Sequence, residues 1–539
     1  MKRIYEIIPG ALAWATILTP FFLAYFEPIT LAYFVICFDL YWLYKAIIMA
    51  GHLISGYLYY KRDIKIDWIE RLKQIENYTQ YKATLAEKLK QEKFFFERIK
   101  LKEELEVLER IKKDDLKNWK NIYQAVLLPN YKEELETSRL SISSYKKTTW
   151  PKERLIIVMA TEEREGKEGL KRAKILEQEF KNDFGGFIIT RHPDNLPIEI
   201  KAKGANLTWA FLKLKDYLDK KGIDSEDVFV SAFDGDTRVH PQYFSCLAYK
   251  YIINPERTKR SYQPIPLYSN NIWHVSPLAR IIAFSSSFWQ LIESTRPYRM
   301  INFSSQAMSM RTLEEINFWD KTVISEDSRQ YYRAYFHFRG DHQVVPIFTP
   351  VYMDATAGRN LWETLKAQYR QKRRWAFGSE HFPYLCLELP KHKEISFWSR
   401  FVQLGRAFEA HYSWATASLL IAFSGWLPFA LNPWFKSTAL AYNLPRLARY
   451  LLGLTWIGIL VSTYVSIRLL PERPASANWF KKLTMYIQWV LVPISAIFFG
   501  SIPAIDAQTK LMLGKKMKFE TTKKIPIIDE KSEILNPKS

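Results

Sequence analysis

Apolar stretches long enough to cross a bilayer stand at both ends of the chain and confine any water-soluble fold to its middle. From Ile7 to Phe26, and again from Ile29 to Met49, the residues are apolar for about the 20 positions that span a membrane as helix. Two such runs joined by a short link predict a helical hairpin. Met1-Lys2-Arg3 could also open a signal peptide, but the length of the run, its two prolines and the second span behind it favour retention. Lys2 and Arg3 precede the hairpin and Lys61 and Arg62 follow it, which places both ends in the cytoplasm. Asp39 and Lys45 lie inside the second span, either marking a pathway or reaching toward the bundle interior and the headgroups.

Three more segments of spanning length follow near the C-terminus, His411 to Leu431, Leu447 to Leu470 and Leu483 to Ile505. Three crossings would leave the tail outside, whereas Lys515, Lys516, Lys518, Lys523 and Lys524 favour the inside. The last segment, interrupted by Pro493, Gly500 and Pro503 and followed by Asp506, is therefore expected to be re-entrant or strongly broken.

The formal charge of +21 would suit a nucleic-acid binder or a protein at an anionic membrane. Aromatic residues make up 15% and gather beside the apolar runs, and no zinc-finger spacing or RNA-reading repeat occurs, so the membrane is favoured over nucleic acid. Cys37, Cys246 and Cys386 are too few and too scattered for a disulfide framework or a cysteine metal site.

Residues 63–120 are densely charged, with Leu101, Leu105, Leu108 and Ile111 at helical spacing. They predict amphipathic helices, either lying on the next domain or forming a coiled coil with a partner. From Ile122 onward the rhythm changes. Ala125–Leu128, ending at Pro129, then Leu155–Met159, Gly186–Thr190 and Val228–Phe233 are continuous apolar runs separated by helix-sized gaps. They predict a mainly parallel sheet covered on both faces, with ligands at the carboxyl ends of its strands.

The fourth run closes on Asp234-Gly235-Asp236, two carboxylates that could share a hard divalent cation with diphosphate oxygens. Solvated turn aspartates would look the same. Val323-Ile324-Ser325-Glu326-Asp327 puts an acidic pair where an apolar strand is expected to meet a helix beginning near Ser328. Asp327 there could be a general base or a helix cap. In the helical stretch from about Leu361 to Phe377, Gln371, Arg374 and Trp375 share one face and could fix a hydroxyl, a diphosphate and a sugar ring. A basic helix on anionic lipid is the plainer reading, with Lys372 and Arg373 pointing elsewhere than the first three. Lys203 and Asn206 open a further helix whose amides suit an anion.

Asp-x-Asp, Glu-Asp and Gln-x-x-Arg-Trp, in that order and flanked by membrane helices, resemble the membrane-embedded family 2 glycosyltransferases, which include cellulose, hyaluronan and chitin synthases. The resemblance runs from Ile122 onward and leaves residues 63–120 unmatched. It implies an α/β GT-A (Rossmann-like) catalytic domain in the cytoplasm beside an α-helical transmembrane bundle. It also implies Mg²⁺ or Mn²⁺, a nucleotide-sugar donor, UDP-linked before GDP-linked, and inversion at the anomeric carbon. By the same resemblance Asp236 binds the metal, Asp234 beside it positions the donor, Asp327 is the base and Glu326 assists. Pro129, Glu133, Glu162, Lys203 and Arg374 contact the donor, while Gln371 and Trp375 line the acceptor site. Phe519, Thr522 and Lys524 resemble a gating-loop signature. Thr161-Glu162-Glu163 replaces an aspartate pair common in relatives, and Phe303–Ala307 replaces a Cys-Gly or Gly-rich acceptor motif.

The expected order of parts is a membrane hairpin (1–62), charged helices (63–120), the GT-A domain (121–392), an interface helix with the closing membrane bundle (393–513) and a cytoplasmic tail (514–539). The expected activity is processive addition of sugars to a glycan, in the plasma or inner membrane. Two alternatives are transfer of one sugar to a lipid carrier and a non-catalytic basic scaffold.

Overall fold

The computed structural model describes residues 1–472, 474, 479–515 and 517. They form two compact units, each assembled from separated stretches. One comprises Ser55–Asn270 and Trp289–Asp354; the other comprises Met1–Ile54, Asn271–Phe288 and the described residues from Ala355 onward.

The first unit is built on an eight-stranded mixed sheet in the order β3-β2-β1-β4-β7-β6-β8-β5. Its strands are β1 (Tyr123–Asn130), β2 (Leu155–Glu162), β3 (Gly186–His192), β4 (Val228–Ala232), β5 (Arg238–Val239), β6 (Arg260–Leu267), β7 (Ala307–Ser309) and β8 (Gln343–Tyr352). Strands β1 to β4 are parallel, as the apolar runs predict. Alternate residues go to opposite faces. Ala125, Leu127, Ile156 and Val158 pack under Leu207, Phe211 and Leu214 of helix Lys203–Lys220. Val126, Leu128, Ile157 and Met159 pack with Ile142, Leu176 and Tyr249 on the other face. Burial on both sides is why the strands read as unbroken apolar runs.

Two local expectations are corrected. Strand β1 continues through Pro129 to Asn130. Its pairing with β4 has ended at Leu127, whose carbonyl faces that side, and Pro129 two residues on faces the same unpaired side, so the N–H it lacks costs no ladder bond. Val323-Ile324 is not a strand, and the helix after it begins at Glu326 rather than Ser328. Both apolar side chains are buried in an irregular turn, which satisfies them without a strand.

Residues 68–110 form the helices Trp68–Gln74, Tyr78–Gln91 and Phe95–Arg110. Trp68, Tyr81, Leu101 and Leu108 join the same core as the sheet, which is the packed reading rather than the coiled coil. The Tyr81 and Tyr249 hydroxyls lie 2.8 Å apart, and Arg71 donates to both oxygens of buried Glu104 at 2.9 Å.

The second unit is helical. Among the described residues, four helices are long and apolar enough to cross a membrane: Lys2–Phe26, Pro28–Asp63, Ala439–Leu469 and Trp479–Met512. The run His411 to Leu431 is not one helix. Helix Phe397–Phe423 ends inside it and a short helix, Leu427–Leu431, follows. The last run is irregular where proline and glycine stand, with a π-helical turn over Ile497–Ser501 between Val492–Ala496 and Ile502–Met512. Small residues bring the helices close: a Cβ on Gly10 would lie 2.9 Å from the Gln508 carbonyl oxygen, and Ala13, Ala415, Ala504 and Ala507 share one cluster.

Candidate active site

Strand register explains how distant residues meet at one end of the sheet. Strand β7 runs antiparallel to β4, pairing Ala307 with Ser231, so Ser304 and Gln306 emerge beside the residues that leave β4. Ser304 Oγ donates to Asp234 Oδ2 at 2.6 Å, and the Gln306 side-chain amide lies 3.4 Å from Asp327 Oδ1. Strand β5 pairs Arg238 with Tyr352 of β8, which sets Asp354 beside Asp236. The Asp354 N–H donates to Asp236 Oδ2 at 2.8 Å, and Asn270 Nδ2 donates to Asp354 Oδ1 at 2.9 Å.

Between the carboxylates stands Lys203, at the start of its helix. Its Nζ is 2.7 Å from Asp234 Oδ1 and 3.7 Å from Asp327 Oδ1. Burial opposes the charged form of Lys203, but Asp234, Asp327 and Glu326 outweigh it and hold the ammonium protonated above the usual lysine range. Glu326 and Asp327 occupy the first turn of helix Glu326–His337, where the helix dipole favours negative charge.

Two glycines permit this closeness. A Cβ on Gly235 would lie 2.8 Å from Glu133 Cγ, so Glu133 rests directly on the Asp-Gly-Asp loop. A Cβ on Gly204 would lie 2.6 Å from the Asp320 carbonyl oxygen and 3.1 Å from Glu326 Cβ. Gly204→Ala is therefore expected to cost about 1–3 kcal/mol by overpacking. A lower thermal midpoint would show it, and an unchanged one would contradict this packing.

Glu162, the last residue of β2, faces a cavity of ≈ 260 Å³ that is also lined by Arg164, His192, Glu199, Lys201 and Ala205. Arg164 Nε donates to Glu162 Oε2 at 2.5 Å, and its guanidinium lies 4.0 Å over the Tyr131 ring. Pro129 stands near the end of β1. Asn206 is turned into the core, donating to the Ala160 carbonyl at 2.9 Å.

Gln371, Arg374 and Trp375 lie in helix Leu361–Ala376 of the helical unit. Thr356 Oγ1 donates to Gln371 Oε1 at 3.1 Å. Lys372 and Arg373 are held by protein rather than extended toward lipid. Lys372 Nζ donates to Ser286 Oγ at 3.0 Å and sits 4.4 Å over the Trp375 ring, while Arg373 Nη1 reaches Asp506 Oδ2 at 3.1 Å. Phe519, Thr522 and Lys524 lie outside the described residues.

Burial lowers Lys372 from its ordinary 10.5 to about 7. The unfolded chain then binds more protons between those two values, so this lysine makes stability rise as pH climbs from about 7 toward 10.5. Lys372→Met should remove that rise. Thermal midpoints of both proteins in detergent, compared across the window, test it; parallel pH curves would contradict it.

Asp354, Ser304 and Gln306 carry no motif of their own. The strand-end rule applied to the apolar run before Asp354 would have found the first, and the segment replacing the Gly-rich acceptor motif contains the other two. Asp234 and Asp236 offer hard oxygen donors of the kind Mg²⁺ and Mn²⁺ prefer. Among the described residues no group of three His, Cys, Asp or Glu side chains could hold a metal alone. The donor set fits a cation whose remaining ligands are diphosphate and water.

Asp234 at the carboxyl end of β4, with Glu326 and Asp327 from the first turn of a helix, gathers around one lysine, where α/β folds place polar ligands. The profile of glycosyl transferase family group 2 matches residues 229–499, just over half of the chain, and the chain belongs to that family. It is a membrane-type glycosyltransferase with a GT-A-like mixed sheet. No curated protein sequence matches it. Among solved structures it is similar to the mannosyltransferase PcManGT from Pyrobaculum calidifontis in complex with GDP-Man and Mn²⁺, at 11% identity over 86% of this chain and 99% of that one, with a TM-score of 0.38. It is also similar to S. aureus TarS 1-349 in complex with UDP-GlcNAc, at 12% identity over 74% of this chain and 94% of that one, with a TM-score of 0.29.

Proposed function

We propose that this glycosyltransferase moves a sugar, with inversion, from a nucleotide-diphosphate sugar to a growing glycan. The donor is UDP-linked in preference to GDP-linked, and successive additions send the product along the membrane helices. The observation that carries the reading is the meeting of Asp234 and Asp327 on the one ammonium of Lys203. It joins the donor end of the proposed site to its base.

In this reading the Asp327 carboxylate takes the proton of the acceptor hydroxyl, assisted by Glu326. A bond forms from the acceptor oxygen to the anomeric carbon as the bond to the diphosphate breaks, its electron pair leaving on the diphosphate. Asp236, with Asp234 beside it, would hold Mg²⁺ or Mn²⁺, which when bound neutralises charge on that leaving group. Lys203 and Arg374 add positive charge for the diphosphate. Pro129, Glu133 and Glu162 contact the nucleotide, and Gln371 and Trp375 line the acceptor. The sheet unit lies on the cytoplasmic side of the membrane.

Gln371, Arg374 and Trp375 on one helix support repeated addition over transfer of a single sugar to a lipid carrier. Sizing the product of a labelled donor tests this: a ladder is expected, and a single added residue would favour the lipid-carrier reaction.

A further inference from the structure

The Asp234-Gly235-Asp236 loop has no strand of its own to hold it. Strand β4 ends at Ala232 and β5 begins at Arg238, so the loop depends on bonds from other segments of the sheet unit. Helix Leu135–Lys146 fixes its backbone. Ser141 Oγ donates to the Gly235 carbonyl at 3.0 Å, and the Tyr145 hydroxyl donates to the Thr237 carbonyl at 2.8 Å. Neither bond reaches the Asp236 carboxylate.

That carboxylate is met from the far ends of β6 and β8. The two strands run in parallel with Leu267 opposite Tyr352, and the chain stays paired beyond them. The Met353 N–H donates to the Leu267 carbonyl at 2.9 Å and the Asn270 N–H to the Met353 carbonyl at 3.2 Å. This register sets Asn270 and Asp354 side by side next to Asp236. The Asp354 N–H donates to Asp236 Oδ2 at 2.8 Å, and Asn270 Nδ2 lies 2.9 Å from Asp354 Oδ1 and 3.4 Å from the Asp236 carbonyl oxygen. Three segments thus close on one amide.

Asp236 and Asp354 are both buried. Two buried carboxylates in one ring of bonds repel, and one deprived of a donor costs stability. The Asn270 amide and the Asp354 N–H are neutral, so they fix Asp236 without cancelling its charge. Asp234 is met differently, 2.7 Å from the Lys203 ammonium. A ligand for a divalent ion has to be both charged and oriented, and neutral donors behind it supply the orientation alone.

We propose that Asn270 is a positioning residue for Asp236, holding its carboxylate in the orientation that captures the divalent cation. It rests on the metal role proposed for Asp236, and no motif in the sequence points to it.

Equilibrium dialysis of the purified full chain in detergent against Mn²⁺ with UDP, and in parallel with GDP, reads the excess metal held by the protein without any turnover. Asn270→Ala is expected to weaken Mn²⁺ binding roughly 10- to 100-fold, the usual effect of removing a group that orients a metal ligand. Asp354→Ala removes the other end of the same hydrogen bond and should weaken it by a similar factor, with the double variant no weaker than the worse single one. Parent-like binding by Asn270→Ala, or losses that multiply in the double variant, overturns the positioning role. If Asn270→Ala does not fold, Asp354→Ala is read alone, and parent-like binding by it overturns the role equally. Asp236→Asn tests the metal reading itself. Undiminished binding in that protein, or none in the parent with either nucleotide, overturns the metal role of Asp236, whereas a loss confined to Asp236→Asn removes only Asn270.

Discussion

Replacing Asp327 by asparagine is expected to slow transfer roughly 10²- to 10⁴-fold, the span that a positioned general base contributes. Asparagine keeps the shape of the side chain. Its oxygen can still accept from the Gln306 amide, 3.4 Å away, and face the Lys203 ammonium at 3.7 Å, but it cannot take a proton. Donor binding should therefore change little. Turnover by the purified protein and a donor-induced thermal shift, measured side by side, separate the two effects. Near-normal turnover would remove Asp327 from the base role. Loss of donor binding together with turnover would make it a binding residue.

Lys203→Met should damage both folding and function. The ammonium is buried, and without it Asp234, Glu326 and Asp327 lose the positive charge that Lys203 sets among them. Breaking a fully buried pair costs several kcal/mol; because Asp234 and Asp327 keep some exposure to water, a loss of roughly 1–3 kcal/mol is expected here. Mn²⁺ should raise the thermal midpoint of Lys203→Met more than that of the parent, since a divalent ion can take over part of the neutralisation. An unchanged midpoint, or an equal response to Mn²⁺, would mean that Lys203 does not hold these carboxylates together.

Much of this site is legible in the sequence because parallel strands buried on both faces announce themselves. The run Val228–Phe233 ends at Asp234, and the strand-end rule turns attention to it before any fold is known. Spacing on a helix likewise groups Gln371 with Arg374 and Trp375. Antiparallel return strands are harder to read. Ala307–Ser309 is only three residues long, too short for a pattern, yet it carries Ser304 and Gln306 to Asp234 and Asp327. Asp354 reaches Asp236 through the two-residue β5, which is shorter still. Val323-Ile324 shows the opposite error, since two buried β-branched residues imitate a strand inside a turn.

Charge was harder to place than hydrophobicity. Lys372 and Arg373 read as lipid-facing in the sequence, whereas Lys372 lies over the Trp375 ring and Ser286 and Asp506, distant in sequence, engage the pair. Domain order meets the same limit. A sequence is read in one direction, but Asn271–Phe288 and the residues after Ala355 pack as one unit with the N-terminal helices.

The central claim is that Lys203, Asp234, Asp236 and Asp327 form a metal-assisted sugar-transfer site. It is tested most directly by incubating the purified full chain in lipid with UDP- and GDP-sugars and following release of nucleoside diphosphate. Release should require Mg²⁺ or Mn²⁺, stop with a chelator, and fall to background in Asp236→Asn and Asp327→Asn proteins that retain the parent's thermal midpoint. Undiminished release from those variants, or release indifferent to the chelator, would contradict it.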